Sequence, residues 1–328
     1  MMIVNTFGAF RKRLPSLLLG LGVCTAATTS WAFCRTTTCD RTKQTCRADP
    51  KTGCLLEGKP LYWPDTCVTF GVHAEGSPRR EISYREAEQA AARAFQAWIS
   101  VDCGDGRTPS LGVVRVGEIH CGQVEFNFPT PDNNRLPAPN ANAILFRDDE
   151  WPHDDANKTL ALTTVTFSRS TGEILDADIE VNSFGVSLST DARAGSNDLQ
   201  SILTHEAGHF LGLDHSHMSA ATMHASYSTD VTDMAFRSLH EDDERGICAV
   251  YPPGALAAFD DSNVPREELC LGEGPRYGFS RYCGVPVEAD AALLCSVKPG
   301  QAPFRHAALI LAFGLAGALL LRRRRHSA

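Results

Sequence analysis

Basic residues are scarce in the body of this chain, internal repeats are absent, and the apolar run near its C-terminus falls short of a full membrane span. Seven of the 31 Lys and Arg residues lie in 1–32 and 322–328, segments without Asp or Glu. That leaves 24 basic against 39 acidic residues and a charge of about −15 between them. A body that acidic repels a polyanion, so no nucleic-acid partner is expected. Without repeats, the roughly 290 residues between the ends have room for one well-buried domain plus appendages, expected to work as a monomer. The apolar run 307–321 would reach about 22 Å as a helix, against about 30 Å of bilayer hydrocarbon.

The two ends speak to export. Arg11, Lys12 and Arg13 precede an apolar stretch from Leu14, and Ser30-Trp31-Ala32 offers a small-residue cleavage site. Residues 1–32 are therefore expected to be a secretory signal cut after Ala32. A lipobox at Leu21-Gly22-Val23-Cys24 is the rival, with Val23 poorly suited to precede a lipidated cysteine. At the other end, Arg322 to Arg325 follow the apolar run and would keep the C-terminus inside, with the ectodomain outside. Residues 307–328 thus read as a membrane-contacting anchor or as a removable sorting signal of the bacterial surface-protein kind. A buried core helix is a third reading.

Of the twelve cysteines, Cys24 falls in the leader. Cys34, Cys39, Cys46, Cys54, Cys67 and Cys103 lie close together before the central part of the chain. Such usage in an exported chain implies disulfides in an oxidising compartment, extracellular or at the cell surface, with a pairing that spacing does not reveal. Residues 33–60 form a Cys-rich N-terminal segment. Residues 254–306, with Pro, Gly, acids and three cysteines, read as a disulfide-tied linker or stalk.

The chemistry sits in His205-Glu206-Ala207-Gly208-His209-Phe210-Leu211-Gly212-Leu213-Asp214-His215. His205 and His209, four apart, share one face of a helix, one turn apart. Asn197 or Asp198 can cap that helix, and Leu199, Ile202, Leu203, Phe210 and Leu211 make its apolar stripe. Gly208 leaves room for close packing. Gly212 suits a positive φ at the helix end, where reversal brings His215 in. Three neutral imidazoles leave a fourth tetrahedral position for water, as in a catalytic zinc site. Zinc lowers the pKa of that water to about 7. Glu206 is placed to take its proton as it attacks a carbonyl, and to pass it to a leaving amine. Amide hydrolysis is the implied reaction. His217 and His224 lie near, with no spacing that assigns them a role.

This string with a later methionine turn is the metzincin signature. Ser216 follows the third histidine, and Met223 follows it by eight residues. The run resembles the matrixin branch, the matrix-metalloproteinase type, in a bacterial secreted or surface form. The resemblance implies that Met223 forms a turn beneath the zinc and that Tyr227 stands in the wall of the main specificity pocket. Ala225 occupies the position of the family's usual proline, so that wall differs in shape. The stretch from Leu239 to Ile247 resembles the start of the family's last helix, with Asp242 and Asp243 as structural anchors. Its acids suit a helix N-terminus.

Upstream, Cys67 to Val72 alternate as a strand within 62–73. Residues 83–101 read as a helix through Ala87, Ala91, Ala94, Phe95 and Trp98, and Ala94 to Trp98 resembles the first helix of a matrixin domain. Residues 113–116, 124–128, 160–168 and 172–182 are strand candidates. The resemblance covers 61–253. It implies an α/β (α+β) metzincin fold: a twisted mixed five-stranded sheet, a helix behind it, the active-site helix below and 160–168 as the edge strand over the zinc. An extended polypeptide substrate could pair with that edge.

Two parts of the family pattern are altered. Asp148, Asp149, His153, Asp154 and Asp155 lack the spacing of the family's second zinc site, though their oxygens could take Ca2+. Arg281-Tyr282-Cys283-Gly284-Val285-Pro286 resembles the family's cysteine switch, but after the catalytic domain and with Tyr282 inserted. Cys283 is then either a latency switch on the zinc or a disulfide partner. The expected function is a zinc endopeptidase with one catalytic Zn2+. The alternatives are an adhesion module on a metzincin scaffold, or a zinc hydrolase of a non-protein amide such as a cell-wall crosslink.

Overall fold

The computed structural model describes residues 33–41, 43–120, 122, 124, 126, 141–191, 193–226 and 234–253. All belong to the compact unit Ala32–Ala328. Along the chain they form β1 (Cys34–Arg35), β2 (Cys67–His73), α1 (Tyr84–Ile99), β3 (Gly112–Ile119), β4 (Ala143–Phe146), β5 (Ala161–Phe167), β6 (Ile174–Val181), β7 (Leu188–Ser189), β8 (Asn197–Asp198), α2 (Leu199–Phe210), β9 (Leu213–Asp214) and α3 (Glu241–Val250).

Local chemistry sets the helix starts. Ser83 and Glu86 close a capping box, with the Ser83 amide donating to Glu86 Oε2 at 2.9 Å and the Glu86 amide donating to Ser83 Oγ at 3.3 Å. Asp198 caps α2, its carboxylate accepting from the Ser201 amide at 2.9 Å. Arg237 grips the same carboxylate at 2.5 and 2.9 Å. Arg237 lies on a 3-10 turn, Met234–Arg237, so the cap is locked from outside the helix.

The sheet has the order β3-β2-β4-β6-β5. The β2–β3, β2–β4 and β4–β6 pairs are parallel, and β5 runs antiparallel to β6 at the edge. The metzincin expectation of a mixed five-stranded sheet with an edge strand at 160–168 therefore matches. Two strand readings differ. Ala143–Phe146 forms β4, in the middle of the sheet, and its four residues are too few to show a period. Of the stretch 124–128, Val124 and Phe126 are described and neither is in a strand; the rest lies outside the described residues.

The core lies between the sheet and the two long helices. α1 buries Ala87, Ala90, Ala91, Ala94, Phe95 and Trp98 along one face, and the small alanines let it sit close. Phe70 of β2 stacks on Phe95 at 4.7 Å, Phe95 meets Phe210 of α2 edge-on at 4.9 Å, and Phe210 meets Trp63 at 5.4 Å. Each such pair adds about 1 kcal/mol beyond its buried area. This chain of rings fixes α2 relative to the sheet. Trp98 Nε1 also donates to the Thr204 carbonyl at 2.7 Å.

Disulfides join Cys34 to Cys54, Cys39 to Cys46 and Cys103 to Cys248, and Cys67 is disulfide-bonded as well. All cysteines among the described residues are thus oxidised, which points to an extracellular location. No helix of the described residues is long and apolar enough to cross a membrane. Residues 1–32 and 254–328, with the expected signal, stalk and anchor, lie outside the described residues.

Candidate active site

α2 is buried almost throughout, and only its last turn opens outward. His205 is buried, His209 half-buried and His215 exposed. Their Nε2 atoms make a triangle: 3.1 Å from His205 to His209, 3.1 Å from His209 to His215 and 3.2 Å from His205 to His215.

Two carbonyls orient this triangle. Nδ1 of His205 lies 2.7 Å from the Thr222 carbonyl, and Nδ1 of His209 lies 2.9 Å from the Leu213 carbonyl. A carbonyl only accepts, so both Nδ1 atoms carry a proton, and the neutral form of each ring has its lone pair on Nε2. Two such lone pairs 3.1 Å apart repel unless a cation lies between them. Ligation at about 2.05 Å with tetrahedral angles puts donor nitrogens about 3.3 Å apart, close to the triangle seen. The donor set therefore fits zinc. No other group of three or more His, Cys, Asp or Glu among the described residues gathers in this way.

The protonation states agree with ligation. Burial, then the neighbouring His209, hold the His205 imidazole well below its ordinary pKa. His215 is pulled down to about 4, first by loss of solvation and then by His209. Both rings are neutral near pH 7, as metal ligands must be.

Glycines shape the site at two points. A Cβ on Gly208 would meet Trp98 Cζ2 at 2.8 Å and would strike the Met223 sulfur. Gly208 thus lets Trp98 of α1 and Met223 pack directly against α2. Gly212 has φ of 93°, and a Cβ there would meet the Leu61 carbonyl at 2.7 Å. The turn to His215 needs glycine on both counts.

Met223 is buried, with its sulfur against Gly208 of α2. Its turn hangs on α3: Asp243 accepts from the amides of Thr222 at 2.7 Å and Met223 at 3.0 Å. Asp242 accepts from Ser216 Oγ at 2.7 Å, so the residue after His215 is tied to the same helix. Since Thr222 also supplies the carbonyl for His205, α3 reaches the first histidine through one residue. His217 is exposed, and His224 Nδ1 faces the Ser226 carbonyl; neither joins the triangle.

Glu206 is buried beside the triangle. Burial raises its carboxyl above the ordinary range, opposed by nearby His209 and by a hydrogen bond from Thr163. Thr163 Oγ1, on the edge strand β5, donates to Glu206 Oε2 at 2.6 Å and lies 3.2 Å from the Glu206 carbonyl. The sequence placed a strand at Thr163 but gave no sign of this contact, which spans 43 positions.

The family model of the matrixins, peptidase family M10, matches residues 62–252. The chain belongs to the matrixin family. Its fold is accordingly the metzincin fold, and a matrixin is a zinc metalloprotease acting on polypeptides. The match begins just after the disulfide-tied segment 33–60, which therefore lies outside the shared domain.

Among the described residues, the acidic loop gathers no second metal site. Asp148 accepts instead from Ser77 Oγ at 2.6 Å and the Arg79 amide at 2.8 Å. His153 Nε2 lies 2.8 Å from Glu180 Oε2, and Arg147 donates to Glu180 Oε1 at 2.5 Å. Asp155 pairs with Lys158 at 3.3 Å. Calcium draws no support from this loop. Tyr227 and Cys283 lie outside the described residues.

Proposed function

We propose that this matrixin is a secreted endopeptidase in which His205, His209 and His215 hold one zinc and Glu206 is the general base. The observation that carries the reading is the convergence of three histidine Nε2 atoms beside a buried carboxylate that is held by Thr163. A zinc ion in that site supplies a Lewis acid that acidifies water and polarises a carbonyl.

Glu206 takes the proton from the attacking water and returns it to the leaving amine. Its raised pKa brings it toward the range where both transfers work near neutrality. Thr163 keeps the carboxylate at a fixed place during the exchange. The open side at His215 admits the substrate, and the edge strand β5 offers main-chain partners to an extended chain. Met223 supports the histidines from below, and Asp242 and Asp243 are structural.

The remaining assignments follow the sequence. Residues 1–32 direct export, 33–60 precede the catalytic domain at 61–253, and 254–306 form a stalk. Residues 307–328 serve as an anchor or sorting signal, and Tyr227 lines the specificity pocket. Cys283 acts either as a latency switch or as a disulfide partner.

The test is to load purified ectodomain with zinc, count the bound metal and follow cleavage of an unfolded protein. One zinc per chain, with cleavage abolished by chelation and restored by zinc, is expected. A protein that binds one zinc and cleaves nothing, after proteolytic activation as well, would instead be a binding module on this scaffold.

A further inference from the structure

The segment 33–60 lies outside the matrixin match, yet its first residues run directly along the loop that carries the third histidine. β1 pairs antiparallel with β9, Cys34 opposite Asp214 and Arg35 opposite Leu213. His215 is the next residue in the chain. The Thr36 amide donates to the Gly212 carbonyl at 3.0 Å. Thr36 Oγ1 donates to the Leu213 carbonyl at 2.9 Å. That carbonyl is the one that receives Nδ1–H of His209.

One oxygen thus takes two donors, one from a zinc-site histidine and one from the N-terminal segment. A carbonyl has two lone pairs, so both bonds form together. With both made, the Leu213 peptide cannot rotate without breaking one of them. The peptide plane sets the ring plane of His209 and the start of His215.

Further contacts hold Thr36 in place. Its carbonyl accepts from the Leu61 amide at 2.8 Å, and the Arg35 guanidinium donates to the Leu61 carbonyl at 2.7 Å. The Cys34–Cys54 bond closes the segment on itself, and Asp40 pairs with Arg169 at 3.2 Å beyond the end of β5. The Lys59 ammonium reaches the Ser170 carbonyl in the same turn.

We propose that segment 33–60 is part of the metal centre, with Thr36 as the residue that positions His209 and His215 through the Leu213 carbonyl. This rests on the zinc reading of the three histidines. Partners one bond removed from a metal ligand typically alter metal affinity by about 10–100-fold when lost. A segment that served only as a covering would alter stability and leave affinity alone.

The test compares the full ectodomain with Thr36→Val, Thr36→Ser and Thr38→Val, each loaded with zinc and titrated with a competing chelator. Thr38 belongs to the same segment, and its hydroxyl accepts from the Lys59 amide, away from the histidines. Thr36→Val should hold zinc about tenfold more weakly. Thr36→Ser and Thr38→Val should match the wild type within about twofold. A second measurement uses the wild type alone. Coupling is reciprocal, so zinc should slow hydrogen exchange of the Thr36 amide. Wild-type affinity in Thr36→Val, equal weakening by Thr38→Val, or exchange at Thr36 that ignores zinc would each overturn the proposal. A wild type that binds no zinc would overturn the zinc reading itself, a different outcome.

Discussion

The stretch His205 to His215 and the stretch Asp148 to Asp155 are both short and rich in side chains that bind metals. In the first, three nitrogens meet within about 3 Å of one another. In the second, Asp148, His153 and Asp155 turn to separate partners: Ser77 and Arg79, Glu180, and Lys158. The first stretch is a helix and a glycine turn, whose repeat fixes where side chains point. The second is loop, and nothing in its spacing makes its oxygens converge. Ligand-type residues become a site when a rigid element aims them and carbonyls hold their rings. The acidic loop has been spent on structure instead.

The comparison can be broken most severely at the histidines. His209→Ala should abolish zinc retention and cleavage together while leaving the disulfide-tied fold, as read by circular dichroism and metal analysis. Next comes Glu180, fully buried between Arg147 and His153. Glu180→Ala leaves a guanidinium without its partner and should cost about 3–5 kcal/mol in denaturant unfolding. Zinc affinity in the folded fraction should not change. If it did, the two stretches would be coupled rather than separate.

The cap of α2 gives a pH-dependent version. Burial works to raise the Asp198 pKa, but hydrogen bonds from Arg237 and Ser201 outweigh it and hold the carboxyl below its ordinary value. A depressed folded pKa gives stability that is present above the unfolded value near 4 and is lost as pH falls through the folded pKa. Asp198→Asn should therefore unfold about 3 kcal/mol more readily at pH 7, with the gap closing below about pH 4. A gap that widened on acidification would contradict the assignment.

Thr163→Val should lower kcat by about tenfold, the equivalent of one charged hydrogen bond, with zinc content and KM unchanged. The smallest effect belongs to the loop. Asp154→Asn with Asp155→Asn should shift the melting temperature by no more than about 1 °C, and added Ca2+ should stabilise neither form. A calcium-dependent rise in the wild type alone would make the acidic stretch a site after all.

Much of the site was legible because its information is local. The four-residue step of His205 and His209, the glycine at 212 and the methionine at 223 all lie within one helix and the turn that follows. α1 was legible for the same reason, through Ala87 to Trp98. What sequence spacing did not reveal lies far apart along the chain. Thr163 reaches Glu206 from another element, Thr36 reaches Leu213 across 177 positions, and Arg237 locks the cap at Asp198. The Cys103–Cys248 pairing spans 145 positions, with no local mark of it. β4 carries no alternation to read, because Ala143, Ile144 and Leu145 are all buried and the strand has only four residues.

The central claim is that Glu206 takes part in the chemistry and not in metal binding. The most direct measurement compares wild-type ectodomain with Glu206→Ala for bound zinc and for cleavage of an unfolded protein. One zinc in both, with cleavage lowered by about 10²–10⁴-fold in the variant, is the predicted result. Equal cleavage by Glu206→Ala would contradict the account.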